Sequence, residues 1–147
     1  MQSYVKIWVH VVFSTKNRQP FIHRKIEARV HQLLKDELIA MGCFVQIING
    51  MEDHIHLLFL LNNQKSIAEV MKNVKGATSH TINQENMTRE KFAWQGGYGA
   101  FSVSDRRVGE VEKYIKNQQQ HHAEKSFKEE WDYFLTAHGF AVVEGDD

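Results

Sequence analysis

Between Tyr4 and Phe13 the chain alternates. Val5, Ile7, Val9, Val11 and Phe13 fall on one side, and Tyr4, Lys6, Trp8, His10 and Val12 on the other. Strand side chains point to opposite faces in turn, so the alternation predicts a half-buried strand. A polar loop from Ser14 to Pro20 follows. Ile26, Val30, Leu33, Leu34, Leu38 and Met41 then recur at helical spacing, with Gly42 placed to stop the helix. Phe44 to Ile48 predicts a second strand, closed by the hairpin signal Asn49-Gly50. The apolar run His54 to Leu61 is a third strand, antiparallel to it. From Ser66 to about Asn83, Ile67, Val70, Met71, Val74 and Thr78 form a buried stripe, and Ser66 with Glu69 makes a capping box. Gln84 to Lys91 is a polar loop. Phe92 to Ser102 is aromatic and interrupted by Gly96, Gly97 and Gly99, which predicts a bent strand. Ser104 can cap a helix from Asp105 to about His122. Ser126 and Glu129 form a second capping box, for a last helix with Phe127, Trp131, Phe134 and Leu135 inward and Gly139 after it. An acidic tail runs to Asp147.

The order strand, helix, strand, strand, helix, strand reads as a ferredoxin-like β-α-β-β-α-β unit. It is an α+β fold: an antiparallel sheet with helices on one face, followed by two C-terminal helices. The first and third strands are then central neighbours, which places His10 near the third strand's histidines if the registers match. At 147 residues the chain fits one domain, 1–147, with its own core.

Composition narrows the function only by exclusion. Formal net charge is zero, so nucleic-acid binding has to come from local patches and not from a basic chain. Nine histidines make a metal or proton-transfer site plausible. A single cysteine, Cys43, rules out an internal disulfide, and no signal peptide opens the chain; a cytoplasmic location is expected. The longest apolar run, Leu57 to Leu61, is too short to span a membrane.

Candidate chemistry lies in two stretches. In the third strand, His54 and His56 share one face while Ile55 and Leu57 take the other. Two imidazoles on one face can grip a divalent ion, but a third group has to come from elsewhere. In the helix after Ser104, Val108, Val111 and Ile115 mark the buried side. Tyr114 falls at its edge and Gln118 lies one turn further on. Gln118 can supply the missing oxygen ligand and Tyr114 a nucleophile. A phenol ionises only about one part in a thousand at neutral pH, so it needs a metal-polarised electrophile and a proton acceptor. Gln119 and Gln120 adjoin Gln118, but only Gln118 shares the face of Tyr114. Glu52 and Asp53 can contribute to metal binding but read first as turn residues, His10 reads as a packed or hydrogen-bonded strand residue, and His121 and His122 can assist proton transfer, although favourable charge at a helix C-terminus explains them as well. Lys16, Arg18, Lys72, Lys75, Arg106, Arg107 and Lys113 can contact phosphates, although each taken singly is an ordinary surface charge. Trp8, Trp94, Tyr98 and Phe101 can stack on bases or belong to the core.

The His-hydrophobic-His strand and the later Tyr-x-x-x-Gln helix resemble the HUH endonuclease superfamily. The nearest likeness is to the single-domain, single-tyrosine transposases of small bacterial insertion sequences and their REP-associated relatives. His10 to Lys16, Gly50 to Leu57 and Trp94 to Ser102 agree with it. The resemblance implies that His54, His56 and Gln118 bind a divalent metal, Mg²⁺ or Mn²⁺. It implies that Tyr114 attacks a phosphodiester of single-stranded DNA, giving a 5′-phosphotyrosine link and a free 3′-hydroxyl that can later rejoin DNA. It further implies recognition of hairpins at element ends by a homodimer, with the tyrosine helix of one subunit completing the other's site. A rival reading is a hairpin-binding DNA or RNA module that no longer cuts. A third, hydrolysis of a small phosphate ester, leaves Tyr114 idle.

Overall fold

The alternating segments assemble into one four-stranded antiparallel sheet in a computed structural model that describes residues 1–142. Strand β1 (Trp8–Ser14) is followed by helix α1 (Arg24–Ala40), strands β2 (Phe44–Met51) and β3 (His54–Leu60), and helix α2 (Ile67–Gln84). Strand β4 (Gly99–Val103) then leads to helices α3 (Val108–Lys116), α4 (Gln118–His122) and α5 (Phe127–Ala137). The sheet order is β2-β3-β1-β4, so β1 and β3 are the central pair, as the ferredoxin-like reading requires. The acidic tail beyond residue 142 lies outside the described residues.

Period-two alternation sorts the two faces. Val9, Val11, Phe13, Ile55, Leu57 and Phe59 turn to one side and meet Val30, Leu34 and Leu38 of α1 and Val70, Met71, Val74 and Ile82 of α2. Cys43 packs into the same core. Trp8 and Leu58 turn to the other side and meet Val108 and Ile115 of α3. Val12 and Phe101 on that side meet Phe127 and Phe134 of α5. Every residue of β1 is therefore buried, and not one face only as its sequence predicts, because C-terminal helices cover the second face.

Three boundaries differ from the sequence expectation, each for a local reason. The first strand begins at Trp8 and not Tyr4, because its partner strands run out at Leu60 and Val103, opposite Trp8. Asn49 and Gly50 do not form the hairpin turn. They pair with His56 and Ile55 inside the ladder, and the chain reverses over Glu52-Asp53 instead. A side-chain carbon on Gly50 would stand 2.1 Å from the carbonyl oxygen of His54, so glycine is there for close approach and not for turning. The helix expected from Asp105 to His122 is a short 3-10 turn over Asp105–Arg107, then α3, a break at Asn117, and α4. Ser104 makes no side-chain cap. Asp105 instead accepts the indole N–H of Trp8 at 2.9 Å. By contrast, Ser66 and Ser126 cap α2 and α5 by accepting the amides of Glu69 and Glu129.

Candidate active site

The site is built on the second face of β3, where His54 and His56 are fully buried. Each is held from behind. His54 Nδ1 lies 2.8 Å from Asp53 Oδ1, and His56 Nδ1 lies 2.8 Å from His10 Nε2, with the two rings stacked. Both Nε2 atoms are thereby turned toward the C-terminal helices. His10 comes from the neighbouring central strand, so the register does bring it to the pair.

The break at Asn117, with φ −96° and ψ 23°, starts α4 in a new direction and sends Gln118 inward. Of the three consecutive glutamines it is the one completely buried, and its Oε1 is 3.0 Å from His54 Nε2. Gln119 instead reaches back to Asn49 and Gly50 on β2, and Gln120 is exposed. Asn49 donates to the carbonyls of Ile115 and Lys116, holding the end of α3 against the sheet.

Sequence reasoning passed over the residue at the centre. Glu130 of α5 is 1% exposed. Its Oε1 lies 2.9 Å from His56 Nε2, 3.2 Å from His122 Nε2 and 3.4 Å from His54 Nε2. Its Oε2 accepts the Tyr114 hydroxyl and, at 3.0 Å, the Gln118 amide. The signal was present: Glu130 falls between Phe127 and Phe134 at helical spacing, a carboxylate within the apolar stripe. His122, expected either to assist proton transfer or to supply helix-end charge, brings its ring to 4.6 Å from that of His54. His121 stacks on Tyr114.

The electrostatics follow from this packing. Burial alone would raise the Glu130 carboxyl, but hydrogen bonds from His122 and His56 outweigh it and hold it well below the usual carboxylate range. Burial, with the Glu130 charge beside it, pushes the Tyr114 phenol well above its ordinary value. Burial lowers His10 and His56. His122 is desolvated too, but the Glu130 carboxylate raises it overall.

The donor set suits a cation. His54, His122 and Glu130 each offer one ligand atom, all within 4.8 Å of one another. Oxygens face both nitrogens of His54, whereas a neutral imidazole has one N–H to give. A cation at Nε2 would satisfy that side while Nδ1–H donates to Asp53, an arrangement common behind metal-bound histidines. Tyr114, His54, His56 and Gln118 thus come together within one chain.

The expected phosphate contacts scatter more widely. Lys16 and Arg18 sit in the loop after β1, and Arg18 lines a cleft with Asp53, His122 and Phe127 beside the site. Arg106, Arg107 and Lys113 are exposed around α3, with Arg107 paired to Glu110. Lys72 lies on α2, across the sheet from the site. Lys75 is engaged structurally, donating to the carbonyls of Gln95 and Gly97. Trp8, Trp94 and Phe101 are packing residues, and the indole of Trp94 donates to Thr78. No helix among the described residues is long and apolar enough to cross a membrane.

Comparison with known proteins agrees with this fold. The ISDra2 transposase TnpA of Deinococcus radiodurans is 25% identical over 114 residues, which cover 74% of this chain and 81% of that protein. A crystal structure from Deinococcus radiodurans R1, described as a transposase, superposes with a TM-score of 0.65 at 23% identity, over 80% of this chain and 95% of that one. A REP-associated tyrosine transposase bound to a REP hairpin superposes with a TM-score of 0.63 at 11% identity, over 83% and 72%. At these identities the two structures speak for the fold alone. The sequence pattern of the IS200-like transposases matches residues 3–118, a span that holds the whole sheet, His54, His56, Tyr114 and Gln118, and the chain belongs to that family.

Proposed function

We propose that this transposase cuts and rejoins single-stranded DNA through a covalent link to Tyr114. The observation that carries the reading is the convergence of the Tyr114 hydroxyl, both β3 histidines and the Gln118 amide on one buried cluster. A structural tyrosine or a lone histidine pair has no need of that set.

In the cutting step Tyr114 Oη forms a bond to phosphorus and the bond from phosphorus to the 3′-oxygen breaks. The phenol proton passes to Glu130 Oε2, the acceptor it already faces, and the 3′-oxygen takes up a proton from water. The products are a 5′-phosphotyrosine and a free 3′-hydroxyl, and reversal of the step rejoins a strand. His54, His56 and Gln118 would hold a divalent ion, Mg²⁺ or Mn²⁺. Such an ion would supply polarisation of the phosphate. His10 and Asp53 fix the ring orientations that this requires.

The DNA recognised is proposed to carry hairpins, as in the relative bound to a REP hairpin. Of the proposed phosphate contacts, Arg18 lines the cleft beside Asp53 and His122, and Lys113 adjoins Tyr114 on α3. A homodimer is part of the reading. Val5 and Ile7, just before β1, and Phe44, at the start of β2, are exposed apolar side chains that a second copy would cover. A single chain already brings Tyr114 to the histidine cluster, so a site completed by the partner's tyrosine helix requires that helix to exchange between subunits.

Incubation with hairpin-bearing single-stranded DNA and Mn²⁺ should give an adduct that survives denaturation, with the phosphate mapped to Tyr114 by mass spectrometry. Tyr114→Phe should fold, still bind the DNA and form no adduct. An adduct on Tyr98 or Tyr133, or undiminished cleavage by Tyr114→Phe, would overturn the assignment.

A further inference from the structure

Among the described residues Glu130 is a buried anion whose hydrogen-bond and ion-pair partners are three imidazoles, a phenol and an amide. A buried carboxylate is costly unless paired, and here imidazoles, a phenol and an amide stand where a formal cation usually pairs it. The geometry points to what completes it. Three ring nitrogens, from His54, His56 and His122, surround the single oxygen Oε1 at 2.9 to 3.4 Å. Neighbouring ligand atoms on one octahedral ion, each bonded at about 2.1 Å, stand about 3 Å apart. The distances from Oε1 to the three nitrogens match that spacing, and the donor atoms of His54, His122 and Glu130 all lie within 4.8 Å of one another.

We propose that Glu130 is itself a metal ligand, delivered by α5, so that cation binding and the docking of α5 onto the sheet are one event. The proposal rests on the reading that His54, His56 and Gln118 hold a divalent ion, and it adds a carboxylate and His122 to them. A ligand set of imidazoles with a carboxylate and an amide oxygen suits Mn²⁺ better than imidazoles alone. It also places the helix carrying Phe127 and Phe134, which cover Val12 and Phe101, under control of the ion. The carboxylate lies outside the span that matches the family pattern, which ends at residue 118.

The competing account is that Glu130 merely plugs the site and has to leave before an ion can enter. Mn²⁺ binding, followed by calorimetry and by the loss of the free-ion paramagnetic resonance signal, separates the two. Glu130→Gln keeps the shape and removes the charge; its affinity for Mn²⁺ should fall at least about tenfold. A smaller loss, or tighter binding, overturns the proposal. Hydrogen exchange of the wild-type protein gives a second reading that needs no variant. Mn²⁺ should slow exchange in the peptide covering α5 as well as in β3, and protection confined to β3 and α4 would overturn the proposal. His54→Ala/His56→Ala serves as the control. If it loses Mn²⁺ while Glu130→Gln does not, the histidine site stands and the role of Glu130 falls; if it keeps Mn²⁺, the site assignment itself falls.

Discussion

His10 stands behind His56 on the adjacent strand, and its Nε2 fixes the ring that faces the helices. Residues that orient a ligand from behind commonly contribute ten- to a hundredfold to metal affinity. His10→Phe keeps the ring packing against Phe101 and Phe134 and removes the hydrogen bond. Its affinity for Mn²⁺ should fall by about that factor while the urea midpoint moves little; an unchanged affinity would mean that His56 needs no support. At this scale the sequence was legible where a face decided the matter. Periodicity put His54 and His56 on one face of their strand and Tyr114 and Gln118 on one side of their helix, and these four side chains do meet around one cluster; their roles as ligands and nucleophile came from the family resemblance. Glu130 was hidden because its helix reads completely as an amphipathic, well-capped element. What its carboxylate meets depends on residues 8 to 76 positions away in the chain.

At the scale of elements, local signals were read correctly and then overridden by tertiary contacts. Asn49-Gly50 has turn chemistry, yet two more ladder pairs beyond Asn49 carry the reversal to Glu52-Asp53. Gly50 is needed there because β2 passes so near the His54 carbonyl. Gly50→Ala should therefore destabilise the protein by about 1–3 kcal/mol, the usual cost of overpacking. It should also weaken Mn²⁺ binding, since the clash bears on the residue carrying the ligand. Urea denaturation with a parallel Mn²⁺ titration tests both, and loss of neither would show that β2 gives way freely. The capping boxes at Ser66 and Ser126 needed no such correction, because a cap is satisfied within four residues of itself.

For the whole molecule, the sheet separates its tasks: α1 and α2 complete the larger core on one face, and the reactive groups gather on the other. The ferredoxin-like order was readable because connection lengths and periods allow few alternatives. The covering of the second face was not, because nothing local to β1 distinguishes contact with water from contact with α3 and α5. Sedimentation velocity should show a dimer at micromolar concentration, and Phe44→Asp should shift it to monomer. Because each chain holds its own tyrosine, histidines and amide, the monomeric variant should still form the Tyr114 adduct; loss of the adduct with the dimer would mean that the site is shared. The interruption at Asn117 has a mechanical meaning on the same scale. In a single straight rod, the nucleophile and the amide one turn away would have to travel together. Here the chain bends between them, and Asn49 grips the near end of the bend. The joint acts as an elbow: Tyr114 lies on the arm before it and Gln118 on the arm beyond it, so the two side chains are set by separate helices.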